Sequence, residues 1–144
     1  MTPEERRALA AWTTSAELAL FDGMHVADRR HGLDVVAYLR RAGVTDRDVL
    51  AAGLLHDCGK GDTGWPPRVA WSLGERYGAW IHTGAARIPG WAPTMARLRD
   101  HAELSAVAVE AAGLPPFAVA LVREQAAPAD PAFGRVFHAA DEAC

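Results

Sequence analysis

The segment from Thr45 to Gly61 reads TDRDVLAAGLLHDCGKG, and it joins a fold signal to a chemical one. Thr45 stands where a helix cap belongs, with Asp48 three residues on, and Val49, Leu50, Leu54 and Leu55 then fall on one buried helical stripe. Gly59 and Gly61 break that helix. Between the apolar run and the glycines stand His56, Asp57, Cys58 and Lys60, and Lys60 is the only lysine in the chain. Adjacent helical residues point about 100° apart, so His56 and Asp57 converge on one point only near a helix end or from an irregular turn. The two glycines supply such a turn. Imidazole with carboxylate is a mixed N/O ligand set, suited to Mn, Fe, Co, Ni or Zn. The plainer reading of an isolated pair is a buried histidine hydrogen-bonded to a helix-terminal carboxylate.

Outward from this segment the same helical signals recur. Thr2-Pro3-Glu4-Glu5 offers a capping box, and Thr14 or Ser15 opens a second helix that Gly23 ends. Asp28 is expected to cap a third, starting at Arg29 and stopped by Gly43. Pro66-Pro67 starts a fifth, Asp100 caps HAELSAVAVEAAG, Pro115-Pro116 begins another, and Asp130-Pro131 begins the last. The segment from Ala79 to Pro93, rich in Gly, Pro and Trp, reads as a loop with one helical turn at most. No alternating strand pattern competes. The expected fold is all-α, a single domain over 1–144 built as a bundle of six to eight helices. The motifs occupy about 28–144, with the helices of 1–24 packed on them.

The 144 residues carry a net charge of −3, with half of them apolar. No basic stripe is present, which excludes support for nucleic-acid backbone binding. No apolar run reaches the ~18–20 residues that span a membrane. The start of the chain is acidic and amphipathic, unlike a signal peptide. Two cysteines, Cys58 and Cys144, make no disulfide framework. A cytoplasmic protein is the expectation.

Two further residues join the His-Asp pair. His31 lies in the first turn of the third helix, and the short turn at Gly43-Val44 implies antiparallel packing that sets it beside His56. Asp141 lies in FHAADEAC, a Phe/Ala setting where a lone carboxylate is costly unless paired or metal-bound. Two His and two Asp from three helices then form a closed set with positions open for water.

At this point the chain resembles the HD-domain superfamily of metal-dependent phosphohydrolases, in its HDxGK form. The matching stretches are RRHGLDVVAYL, AAGLLHDCGKGD and FHAADEA, spread from about Asp28 onward. The resemblance implies His31, His56, Asp57 and Asp141 as ligands of one divalent transition metal. It also implies that Lys60 approaches a substrate phosphate, which would explain the solitary lysine; its plainer role is that of a helix-end cation. DHAELSAVAVEAAGL resembles the family segment in which a His opens a helix, and His101 takes that position. Binuclear members carry further His about two dozen residues later. Here LVREQAA puts Glu124, Gln125 and Ala126 in their place, so a second metal is not expected and His101 is left to contact substrate or water. The implied catalytic set is Asp57, Lys60 and His101, acting on a small phosphorylated substrate, with a nucleotide foremost. The alternative is a non-catalytic HD-type metal-binding module that signals or scaffolds.

The remaining candidates have two readings each. His82 is a lid residue or a surface histidine, His138 a second layer around Asp141 or a core-edge residue, and His25 is structural. Trp65, Trp71, Trp80 and Trp91 are a satellite core or an aromatic wall for a ring. Arg68, Arg29 and Arg30 flank the motif helices as phosphate-binding guesses.

Overall fold

Arg47–Leu55 is a helix with no exposed apolar side: Val49, Leu50, Ala51, Ala52, Leu54 and Leu55 are all buried. A helix apolar all round belongs at the centre of a bundle, and the other elements wrap it. In the computed structural model, which describes residues 3–144, the order is α1 (Pro3–Ala10), α2 (Ser15–Gly23), α3 (Val26–Arg41), α4 (Arg47–Leu55), a 3-10 turn (Cys58–Lys60), α5 (Trp65–Tyr77), α6 (Trp80–Ala85), α7 (Ala92–Arg99), α8 (His101–Ala111), α9 (Pro116–Arg123) and α10 (Gly134–Ala143). The fold is all-α, and no strand occurs among the described residues. The Thr2 cap expected for the first helix lies outside them.

Ten helices among the described residues exceed the six to eight expected, because α6 lies within the region read as a loop and α7 begins at its end. There Ala85, Met95 and Leu98 are buried and Ala70, Trp71, Ala86 and Trp91 pack against them. This small second core supplies the burial that makes helices of a segment whose local sequence favours turns.

Two caps differ from expectation. His25, rather than Asp28, caps α3, its Nδ1 accepting from the Ala27 N–H at 3.3 Å. Asp28 is buried instead, held by Arg68 through two hydrogen bonds of 2.6 and 2.7 Å. Asp46, rather than Thr45, caps α4, accepting from the N–H groups of Asp48 and Val49. The Thr14 cap of α2 is a full capping box with Glu17, which is buried and ion-paired to Arg47.

One main core runs through the bundle, from Leu9 and Phe21 of the first two helices to Leu39, Leu54, Leu121 and Phe137. Gly43, at φ 87°, turns the chain between α3 and α4. The two helices then pack antiparallel so closely that a Cβ on Gly32 would lie 2.4 Å from the Leu54 carbonyl oxygen. That contact fixes the start of α3 against the end of α4. A second close approach sets the 3-10 turn on α8: a Cβ on Gly59 would lie 2.5 Å from the His101 carbonyl and 2.6 Å from Ser105 N. The Gly59 N–H donates to Ser105 Oγ at 2.8 Å. Gly59 therefore serves close packing, whereas Gly61, at φ 61°, makes the turn.

Candidate metal centre

The end of α4 delivers His56 and Asp57 side by side. His56 is still in helical conformation and Asp57 has left it (φ −103°, ψ 5°), so the two side chains diverge less than they would inside a helix. His56 Nδ1 donates to the Gly53 carbonyl at 2.9 Å, which turns Nε2 away from its own helix. Gly32 brings His31 of α3 alongside, with ring centroids 5.0 Å apart and the planes at 64°. α10 packs on α3 and adds Asp141. Its Oδ1 lies 2.9 Å from His31 Nε2 and 3.1 Å from His56 Nε2. The ligand atoms of His31, His56 and Asp141 all fall within 4.8 Å of one another.

His56 Nε2 is buried and lies 3.1 Å from Asp141 Oδ1, but in a geometry too poor for a well-formed hydrogen bond. A buried nitrogen left without a partner beside a carboxylate is what a shared third atom would satisfy. Charge points the same way. Burial opposes a charged imidazole, yet Asp57 and Asp141 outweigh it and push the His56 pKa up to about 9. Burial likewise opposes a charged Asp141, but its hydrogen bond with His31 and the close contact with His56 hold its pKa well below the carboxylate range. The pocket favours a positive charge at its centre. Two imidazole nitrogens and a carboxylate oxygen are a donor set that fits Mn, Fe, Co, Ni or Zn.

Asp57 stands outside this three-residue group. Its Oδ2 is 3.6 Å from His56 Nε2 but 2.5 Å from Lys60 Nζ, so the lysine draws its carboxylate to one side. On its other side Oδ1 lies 3.6 Å from His101 Nε2. Burial opposes the charge on Asp57 as well, and His56 and Lys60 overcome it, leaving the pKa lowered. The two expected catalytic partners, Lys60 and His101, thus meet on Asp57.

His101 has both ring nitrogens engaged. Nδ1 donates to the Leu98 carbonyl at 2.6 Å, and Nε2 accepts from the Gln125 amide at 2.7 Å. The ring is thereby held neutral, and burial depresses its pKa further. Gln125 is buried with Oε1 unpartnered, and its backbone carbonyl accepts from His138 Nδ1 at 3.2 Å. This pairing was not foreseen, although the sequence drew attention to Gln125 as standing where binuclear members carry further His. Beside it opens a cavity of about 500 Å³, lined among others by Trp71, Arg99, His101, Arg123 and Gln125.

Other candidates have different duties. Arg68 clamps Asp28 and the Gly61 carbonyl (2.8 Å), tying α5 to α3 and to the turn after Lys60, so it is no free phosphate ligand. Arg30 is exposed and paired to Asp34. His82 stacks on Trp71 (4.0 Å, 9°) and donates from Nε2 to the Trp71 carbonyl, pinning α6 to α5 rather than covering the centre. The four tryptophans divide: Trp71 and Trp91 pack on the second core, whereas Trp65 and Trp80 face solvent. Ser105 was missed. It is fully buried, it holds the Gly59 N–H, and its carbonyl faces the Cys58 thiol at 3.9 Å. No helix is long and apolar enough to cross a membrane among the described residues. Set against family models, curated proteins and solved structures, the chain finds no match.

Proposed function

We propose that this chain is a metal-dependent phosphohydrolase that cleaves a phosphate mono- or diester of a small molecule, a nucleotide being the expected class. The observation that carries the reading is the convergence of His31, His56 and Asp141 from three separate parts of the chain around an unpartnered buried nitrogen. His31, His56 and Asp141, with Asp57 adjoining, would hold a divalent transition metal, which when bound would supply a Lewis acid that lowers the pKa of water from 15.7 toward ~7. Asp57 is the carboxylate placed to take a proton, since it lies at the edge of the ligand group rather than within it. Lys60 donates one N–H to Asp57 and keeps two others for a phosphoryl oxygen, where an ammonium offsets developing charge. His101, with both ring nitrogens engaged, borders Asp57 and the cavity at once, so it would line the substrate side as a fixed wall.

One observation favours the second reading, a non-catalytic metal-binding module. Lys60 is closed onto Asp57 instead of reaching into open space. The deciding experiment measures metal per chain and turnover of p-nitrophenyl phosphate and its bis ester with Mn, Fe, Co, Ni or Zn. One metal with turnover, both lost in His56→Ala, supports the hydrolase. One metal with no turnover of any ester moves the assignment to the module. No metal uptake by the folded protein removes both.

A further inference from the structure

The helix α5 is apolar on two faces. The inner one, Pro67, Ala70, Trp71 and Gly74, packs on the second core or is buried. About a third of a turn away runs a second row at strict four-residue spacing: Trp65, Val69, Leu73 and Tyr77. These are exposed by 72, 49, 43 and 61 %. Past Gly78, Trp80 at the start of α6 is exposed by 72 % as well. Isolated exposed apolar residues need no explanation, but a continuous four-residue row with an aromatic side chain at each end does.

We propose that this row is the interface of a homodimer, formed by α5 packing on α5 of a second copy across a two-fold axis. The row is an i±4n ridge, and ridges of this type interdigitate with their own kind at about −50°. A two-fold crossing between Val69 and Leu73 is therefore self-complementary. It brings Trp65 of one copy to Tyr77 of the other and makes the interface isologous. Arg76, whose guanidinium sits 5.8 Å from the Tyr77 ring, then comes within reach of the second copy's Trp65. Size fits the weak pairing of two copies. With about 150–250 Å² for a fully exposed aromatic side chain, the five residues present roughly 500–600 Å² per copy. Pairing removes roughly 1,000–1,200 Å², at the lower edge of specific interfaces. A lipid surface is the less favoured occupant, because Glu75 stands on the same helix and no cluster of basic residues flanks the row. The dimer leaves the metal centre to each copy, so the inference is independent of the proposed activity.

Sedimentation equilibrium of the whole chain tests it, read up to about 100 µM, where an interface this small is expected to associate. The expected result is a mass approaching twice that of the chain, falling to the single-chain mass in Val69→Glu/Leu73→Glu. Tyr77→Lys, at the open end of the row, gives a second disruption should the double variant fold poorly; helicity by circular dichroism reports which case holds. A wild type that stays single at every concentration overturns the proposal. So does a dimer indifferent to all of these substitutions. A single-copy protein that sediments with phosphatidylcholine vesicles through the same residues also overturns it, in favour of a membrane-surface role.

Discussion

Gly32 and Leu54 meet backbone to backbone, and this contact sets the distance between His31 and His56. A methyl group on Gly32 would sit 2.4 Å from the Leu54 carbonyl oxygen, with no flexible side chain to yield. Gly32→Ala therefore forces α3 from α4. The expected cost is about 1–3 kcal/mol of stability, the usual range for overpacking. Metal uptake should weaken with it, because the ligands ride on the two helices. Urea unfolding and metal titration of the same variant check both. Unchanged stability would show that α3 and α4 can slide apart freely.

Asp28 and Arg68 form a nearly buried pair, bidentate at 2.6 and 2.7 Å. Arg68→Ala leaves the carboxylate buried alone and is expected to cost about 3–5 kcal/mol. Adding Asp28→Asn should recover part of that loss. Thermal melting of the two single variants and the double variant reads the coupling. A lone Arg68→Ala that stays stable but loses turnover would return Arg68 to the substrate.

Ser105 Oγ is the acceptor for the buried Gly59 N–H. Ser105→Ala strands that donor, at about 1–3 kcal/mol. Hydrogen exchange at Gly59 should accelerate more than at the centre of α4. Equal acceleration at both sites would mean that the variant only lowers global stability.

Gln125 occupies the Nε2 lone pair of His101, 3.6 Å from Asp57. Gln125→His exchanges the amide for a second imidazole beside His101 and Asp57, a ligand set for another cation. Elemental analysis should then rise from the proposed one metal per chain to two. A value of one would show that the surroundings, rather than Gln125, limit the centre.

Burial raises the Cys58 thiol to about 11, with the Asp57 charge adding to it. Raising a thiol pKa depletes the thiolate, so at about pH 8 roughly one Cys58 in a thousand is reactive. Cys144 is exposed. Iodoacetamide at that pH should label Cys144 in the native protein and reach Cys58 only after unfolding, as peptide mass mapping would record.

The central helix and its motif were legible because their signals are local: an apolar run, then His-Asp, then glycines. So was the pairing of His31 with His56, which follows from a short turn between two helices. Asp28 misled as a cap because its partner, Arg68, lies forty residues away. The Ala79–Pro93 region misled because its prolines and glycines speak for turns, while the burial of Ala85 and the packing of Ala86 and Trp91 on Met95 and Leu98 decide for helix. Asp57 was expected among the ligands; only the packed 3-10 turn shows Lys60 drawing its carboxylate aside. The glycines were expected to break helices; Gly43 and Gly61 do act by their backbone angles, whereas Gly59 is required by close packing.

His31 and Asp141 are 110 residues apart, so any ion gripping both is a knot tied across most of the polypeptide. Closing a loop of that length costs about 4 kcal/mol of chain entropy. A bound ion would repay this as a reversible staple, holding the last helix to the third. Chelation would then act mechanically as well as chemically: α10 would be the first element to come loose, and it would carry one wall of the centre away with it.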